Sequence, residues 1–294
     1  MSNGLGFDFE VLWTIGLAVL RGLNPYSIQG SLYPPAASLT FALFALIPLK
    51  ISYVVVMTTG IVALVLMTKH KALNWLIFSP IILIVEAGQI DLLFLIPIML
   101  LSSKQRWISG LAIAILLFKP QIAFVAVPWY LIQWLFKDRR RLLWALGIIM
   151  VLHSAPLLYN PAIYGQWLTA IVTGGGHKVG GIGVWLLRDY LGFWIAALGY
   201  VLITLAGLAL DEKTCRLILT FANPTMWHYD TVVLIETAPW WVLGPASIVA
   251  LIAGNLIGHP VTFLLIPVAG LIYRTARHLA IPSWTRLKLR EQVG

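Results

Sequence analysis

The sequence predicts an all-α protein that crosses a membrane many times, and three observations carry that prediction. Hydrophobic residues make up 60% of the 294-residue chain and charged residues only 11%, with a mean hydropathy of +0.90. Soluble domains hold about 45–50% apolar and about 25% charged residues. Apolar stretches recur almost from end to end, and one bilayer span needs roughly 20 such residues. Basic residues fall in short clusters between these stretches: Lys69-His70-Lys71, Lys104 with Arg106, Lys137 to Arg141, Lys213 with Arg216, and the tail from Arg274 to Arg290.

Placing every basic cluster in the cytoplasm gives a consistent alternation. The spans then run over about 50–68, 73–87, 90–102, 107–118, 121–136, 142–158, 193–210, 214–227, 228–240, 241–257 and 261–277. That is about eleven crossings, starting outside and ending inside. Several are shorter than a simple span, and short or broken helices are tolerated at membrane depth where they line a protein cavity. The whole chain, 1–294, reads as one integral membrane domain. Residues 1–49 form an outer-face first loop with interfacial helices, 50–158 are helices, and 159–192 are a second outer loop. Helices follow over 193–277, and 278–294 is a basic cytoplasmic tail.

The net charge of +9 does not point to nucleic acid, because the cations are scattered in loops rather than joined in one basic surface. One cysteine, Cys215, excludes an intrachain disulfide and a cysteine-based metal site. No internal repeat stands out, which weighs against an inverted-repeat transporter. Residues 1–10 lack the basic start of a signal peptide.

Polar groups inside a membrane are costly and mark functional sites by default. Asp8-Phe9-Glu10 opens a short amphipathic stretch that ends in Arg21-Gly22-Leu23-Asn24-Pro25-Tyr26, and Tyr33-Pro34-Pro35 follows. The prolines impose a turn-rich path. Asp8 reads either as a solvated acid or as a general base at the membrane boundary. Gln89, after Glu86-Ala87-Gly88, interrupts an apolar run, and so does Lys119-Pro120-Gln121. Lys119 either snorkels to the interface or binds an anionic headgroup. Arg188-Asp189 is a surface pair or a second phosphate cation. The preceding run Gly174 to Gly181 lacks the spacing of a phosphate loop and reads as an outside loop. Asn223-Pro224-Thr225-Met226-Trp227-His228-Tyr229-Asp230 breaks a further helix. His228 there either packs or moves a proton; a metal lacks a third ligand at the right spacing.

Taken in order, these landmarks resemble the C-type, polyprenyl-phosphate-sugar-dependent glycosyltransferases, closest to glycosyltransferase family 87, the α-mannosyltransferase-like group. The resemblance rests on Asp8, Gly22, Asn24-Pro25-Tyr26 and Tyr33-Pro34-Pro35 in the first loop. It continues through Gly88-Gln89, Lys119-Pro120, and Asn223-Pro224 with Trp227-His228. The chain departs from the family pattern in three places. Members carry a span before the first loop, an Asn-Gln-Ser-like run where this chain has Gly180-Gly181-Ile182, and two adjacent histidines where it has His228-Tyr229.

The resemblance implies transfer of one hexose, mannose first, from a polyprenyl-phosphate carrier to a glycolipid or glycan hydroxyl on the outer side of a bacterial or archaeal plasma membrane. It implies Asp8 as general base, with Lys119, Arg188 and His228 at the donor phosphate. Glu10, Asn24, Tyr26, Tyr33, Gln89, Gln121 and Asp230 are expected at the sugar or acceptor, with no metal or cofactor required. The competing readings are a polytopic transporter or lipid flippase, and a non-catalytic partner subunit.

Overall fold

In the computed structural model the described residues, 6–173, 192–223 and 226–280, form fifteen α-helices and no strand beyond an isolated bridge between Ile235 and Ala238. The helices are α1 (Phe7–Leu20), α2 (Pro35–Ala45), α3 (Leu49–Thr68), α4 (Ala72–Trp75) and α5 (Ser79–Ala87). Then come α6 (Leu95–Leu100), α7 (Arg106–Leu116), α8 (Pro120–Ala126), α9 (Pro128–Lys137) and α10 (Arg139–Tyr159). The last five are α11 (Ile163–Thr173), α12 (Phe193–Leu208), α13 (Glu212–Ala222), α14 (Trp240–Ile257) and α15 (Leu265–Ala280).

Local chemistry sets many of these boundaries. Proline stands in the first turn of α2, α5, α8 and α9, where its missing N–H would find no helical partner anyway. Asp138 caps α10 by accepting from the Arg141 N–H, and Asp211 caps α13 by accepting from Lys213 and Thr214. Partial burial opposes ionisation of Asp211. The Thr214 hydroxyl and the Arg274 guanidinium outweigh it and hold the carboxyl below its usual range.

Three helices are long and apolar enough to cross a bilayer: Leu49–Trp75 with 27 residues, Arg139–Tyr159 with 21, and Trp240–Ile257 with 18. They coincide with the expected spans 50–68, 142–158 and 241–257. Among the described residues these three are the helices of that length and composition, against an expectation of about eleven crossings, several of them short. Residues 90–102 form the 3₁₀ turn Asp91–Phe94 and the six-residue α6, and 121–136 are broken at Pro128. Residues 228–240 hold no α-helix beyond the first residue of α14, only the 3₁₀ turn Tyr229–Leu234 and a loop. These segments are apolar because they are core. Val232, Val233, Leu234 and Ile235 are fully buried, as are Ile122 and Val125. Hydropathy does not distinguish a side chain facing lipid from one facing protein.

The lipid-facing surface is equally plain. On α12, Trp194, Ile195, Leu198, Leu202 and Leu205 are exposed at helical spacing, and α10 exposes Leu143, Trp144, Met150, Val151 and Leu158. Monomeric soluble proteins rarely expose apolar patches of this extent.

The first loop and three of the basic clusters, those of Lys71, Lys213 and Arg274, lie at opposite ends of α3. Near its start, Tyr53 packs edge-on to Phe9 of α1 at 5.8 Å and donates to the Val85 carbonyl at 2.6 Å. Fifteen residues on, or about 22 Å of helix, α3 ends at Thr68. The adjoining Lys71 shares a polar cavity with Lys213, Arg274 and Arg277.

Candidate active site

Asp8 meets Gln89 because two glycines let their segments touch. Helix α5 closes on Gly88, which holds φ +77°, and the N–H groups of Gly88 and Gln89 both donate to the Ile84 carbonyl, at 2.8 and 2.9 Å. The Gly6 N–H donates to Glu86 O at 2.9 Å and ties the start of α1 to this turn. A Cβ on Gly88 would lie 2.7 Å from Gly6 Cα and 2.9 Å from Phe9 Cβ. Gly88→Ala is therefore expected to cost about 1–3 kcal/mol through backbone strain and to push α1 off α5. Thermal unfolding in detergent would show the loss; an unchanged midpoint would contradict it.

The turn presents Gln89, whose side-chain amide is engaged at both ends. Its Nε2 donates to Asp8 Oδ2 at 2.6 Å and to the Tyr229 hydroxyl at 3.3 Å, while Oε1 accepts from the Tyr33 hydroxyl at 3.3 Å. Asp8 Oδ1 has no hydrogen-bond donor among the described residues. Asp8 itself is half-buried, Gln89 buried and Glu10 exposed. Together with Thr14, Gln29 and Tyr33 they line a cavity of about 800 Å³, whose apolar wall includes Phe7, Val11, Leu12 and Ile28. This is a volume typical of small-molecule sites, with few polar groups in an apolar frame.

Behind Tyr229 lies a buried ionic cluster. Lys119, just before α8, places Nζ 2.7 Å from both carboxylate oxygens of Asp91 and 2.8 Å from Asp230 Oδ1. Asp91 accepts hydrogen bonds through both oxygens, while Asp230 Oδ1 meets the ammonium as an ion pair. Lys119 is 3% exposed and both aspartates 0%. The ammonium also sits 4.9 Å over the Tyr229 ring. Asp230 Oδ2 accepts from the Trp227 N–H at 2.7 Å, and Asn223 Nδ2 donates to the Gln121 carbonyl at 2.7 Å. Three helix breaks, at Gly88–Asp91, Lys119–Gln121 and Asn223–Asp230, are thus joined by side chains that answer one another's buried polar groups. Trp227 stacks on Tyr229 (6.2 Å, 11°), and His228 packs edge-on to Tyr229 at 4.9 Å and against Phe263 at 5.1 Å.

The predicted residues therefore divide into groups. Asp8, Glu10, Tyr33 and Gln89 line the cavity, and His228 and Asp230 flank Tyr229. Lys119, expected at the outer surface, is enclosed and fully engaged by carboxylates. Gln121 contributes its backbone carbonyl. Asn24 caps the Pro25–Ser27 turn, accepting from the Tyr26 N–H at 2.9 Å, and the Tyr26 hydroxyl donates to Tyr33 O at 3.0 Å. Those two line a separate hollow beside Gln166 and support the loop that carries Tyr33. Arg188 and the Gly174–Gly181 run lie outside the described residues. His153 packs against Phe118, with Nε2 3.0 Å from Ala114 O.

Two members of the network, Asp91 and Tyr229, have no role in the sequence reading. Asp91 carried a usable signal, an acid at the head of the apolar run 90–102. Tyr229 carried none beyond its neighbours. Among the described residues no three His, Cys, Asp or Glu side chains are grouped to hold a metal.

The family model of glycosyltransferase family 87 matches residues 32–253, about three quarters of the chain. The matched segment contains Tyr33, Gln89, Asp91, Lys119, Arg188, His228, Tyr229 and Asp230; Asp8, Glu10, Asn24 and Tyr26 precede it. The chain matches no curated protein and no solved structure. With the long apolar helices and their exposed apolar faces, the family match makes this chain a membrane glycosyltransferase, a member of glycosyltransferase family 87.

Proposed function

We propose that this protein transfers one hexose, mannose first among the candidates, from a polyprenyl-phosphate carrier to the hydroxyl of a glycolipid or glycan. The observation that carries this reading is Asp8, held by Gln89 at the wall of an 800 Å³ cavity with one carboxylate oxygen that no donor among the described residues reaches. In the proposed step the acceptor oxygen attacks the anomeric carbon as its proton passes to Asp8. The bond from that carbon to the phosphate oxygen breaks, and its electron pair leaves with the lipid phosphate. A single displacement of this kind inverts the anomeric configuration.

Charge builds on the departing phosphate, and preorganised donors nearby lower the barrier. With three carboxylate oxygens already on Lys119 Nζ, the phosphate falls to Arg188 and His228. Lys119 acts through position, by fixing Tyr229 and, through it, Gln89. Tyr33, Gln89 and Glu10 orient sugar or acceptor hydroxyls. The active cavity is proposed to face the outer side. In support, it adjoins the start of α3, while Lys71, Lys213 and Arg274, from three of the basic clusters expected in the cytoplasm, gather at the other end.

Purified protein in nanodiscs, offered polyprenyl-phosphate-mannose, the glucose and arabinose carriers, and GDP-mannose in parallel, tests the donor class. Transfer from the mannose carrier and none from the nucleotide sugar is expected. Transfer from GDP-mannose alone would overturn the reading.

A further inference from the structure

Helix α10 opens with Arg139, Arg140 and Arg141. Cations in a first turn oppose the helix macrodipole, so their presence needs a cause outside the helix. Arg141 has one: it lies 5.5 Å over the Trp134 ring and pairs with Asp138 at 3.5 Å. Arg106, from α7, donates through Nε to both Asp138 oxygens at 3.2 Å. Arg140 is exposed and makes no ion pair with a described residue. Two arginines thus share one carboxylate while Arg139 and Arg140 stand in the same turn without one among the described residues, leaving a positive mouth.

From that mouth a groove of about 770 Å³ runs along α10, lined by Leu143, Trp144, Gly147 and Val151 with Arg106 and Arg140. The positions recur three or four residues apart on one face, over about 17 Å of helix from Arg140 to Val151. A Cβ on Gly147 would meet no protein atom within 4 Å. The helix is one of the three able to span the bilayer, and only 11% of its apolar window is buried. The groove therefore opens to lipid, with cations at one end only.

We propose that this groove holds one anionic glycerophospholipid of the cytoplasmic leaflet, its phosphate on Arg140 and Arg106 and an acyl chain along Trp144, Gly147 and Val151. Charge complementarity selects the headgroup, and the apolar length selects a lipid over a free phosphate. The cytoplasmic leaflet is both the side on which basic loops are retained and the one that carries anionic lipid. The inference rests on the membrane placement of the chain and is independent of its sugar donor.

Native mass spectrometry of the full chain, released from nanodiscs of equal phosphatidylglycerol and phosphatidylcholine content, tests it. Wild type should retain phosphatidylglycerol about fivefold over phosphatidylcholine, the effect of one cation at an anionic surface, and Arg140→Gln should bring the ratio near one. Gly147→Leu should reduce retention of both lipids, since it fills the groove. Its Cβ meets no protein atom within 4 Å, and leucine is a better helix former than glycine, so folding is expected to be preserved. Excess glycerol 3-phosphate should leave the bound lipid in place. Equal retention of the two lipids by wild type, undiminished retention by Gly147→Leu, or displacement by glycerol 3-phosphate would overturn the proposal.

Discussion

Asp8→Asn is expected to lower turnover by about 10²–10⁴-fold, the usual consequence of removing a general base. Asparagine keeps the size of the side chain, and its carbonyl oxygen can still accept from Gln89 Nε2, which now lies 2.6 Å from Asp8 Oδ2. The variant should therefore fold and bind donor while losing only basicity. Glu10 is the internal control. It lines the same cavity from the same helix but is exposed and two residues further on, so it points from a different side of α1. Glu10→Gln keeps a hydrogen-bonding side chain for the sugar or acceptor hydroxyl and should lose far less turnover than Asp8→Asn. Single-turnover rates on equal amounts of folded protein compare the two. A large loss in Glu10→Gln with a small one in Asp8→Asn would assign the base to Glu10.

Lys119→Ala is expected to cost about 3–5 kcal/mol, because it leaves Asp91 and Asp230 buried together without their cation. Domains are stable by only about 5–15 kcal/mol, so much of the folded protein should be lost. The double variant Lys119→Met with Asp91→Asn removes charge from both sides of the pair and should recover part of that stability. Yield of monodisperse protein and its unfolding temperature measure both. If Lys119→Ala kept wild-type stability and only raised the KM for the lipid donor, Lys119 would bind phosphate, as the family resemblance implied.

The difference over Lys119 shows what the sequence made legible. A lysine at Lys119-Pro120 among apolar residues marks a functional break, and the structure bears out the position of the break. Its partners are another matter. Asp91 is 28 residues before it and Asp230 far after it, and only the folded path brings them within 2.8 Å of one ammonium. The Gly88-Gln89 and Asn223–Asp230 breaks were equally visible as polar punctuation, and they do meet at Tyr229. Which apolar runs form long helices was not legible, because Val232 to Ile235 are as apolar as any lipid-facing run yet lie in a buried 3₁₀ turn and its exit. Asn24 and Tyr26 belong to the same loop as Tyr33. A loop pattern cannot separate residues that face the cavity from those that brace its wall, and both of these brace it.

The central claim is that this chain cleaves a lipid-linked sugar and passes it on. The most direct test is a time course on wild-type protein in proteoliposomes, following polyprenyl-phosphate-mannose, free polyprenyl phosphate and mannosylated acceptor together. The account predicts that polyprenyl phosphate and mannosylated acceptor appear in equal amounts as the donor disappears. Movement of intact polyprenyl-phosphate-mannose between leaflets, with neither product formed, would contradict it and identify a flippase instead.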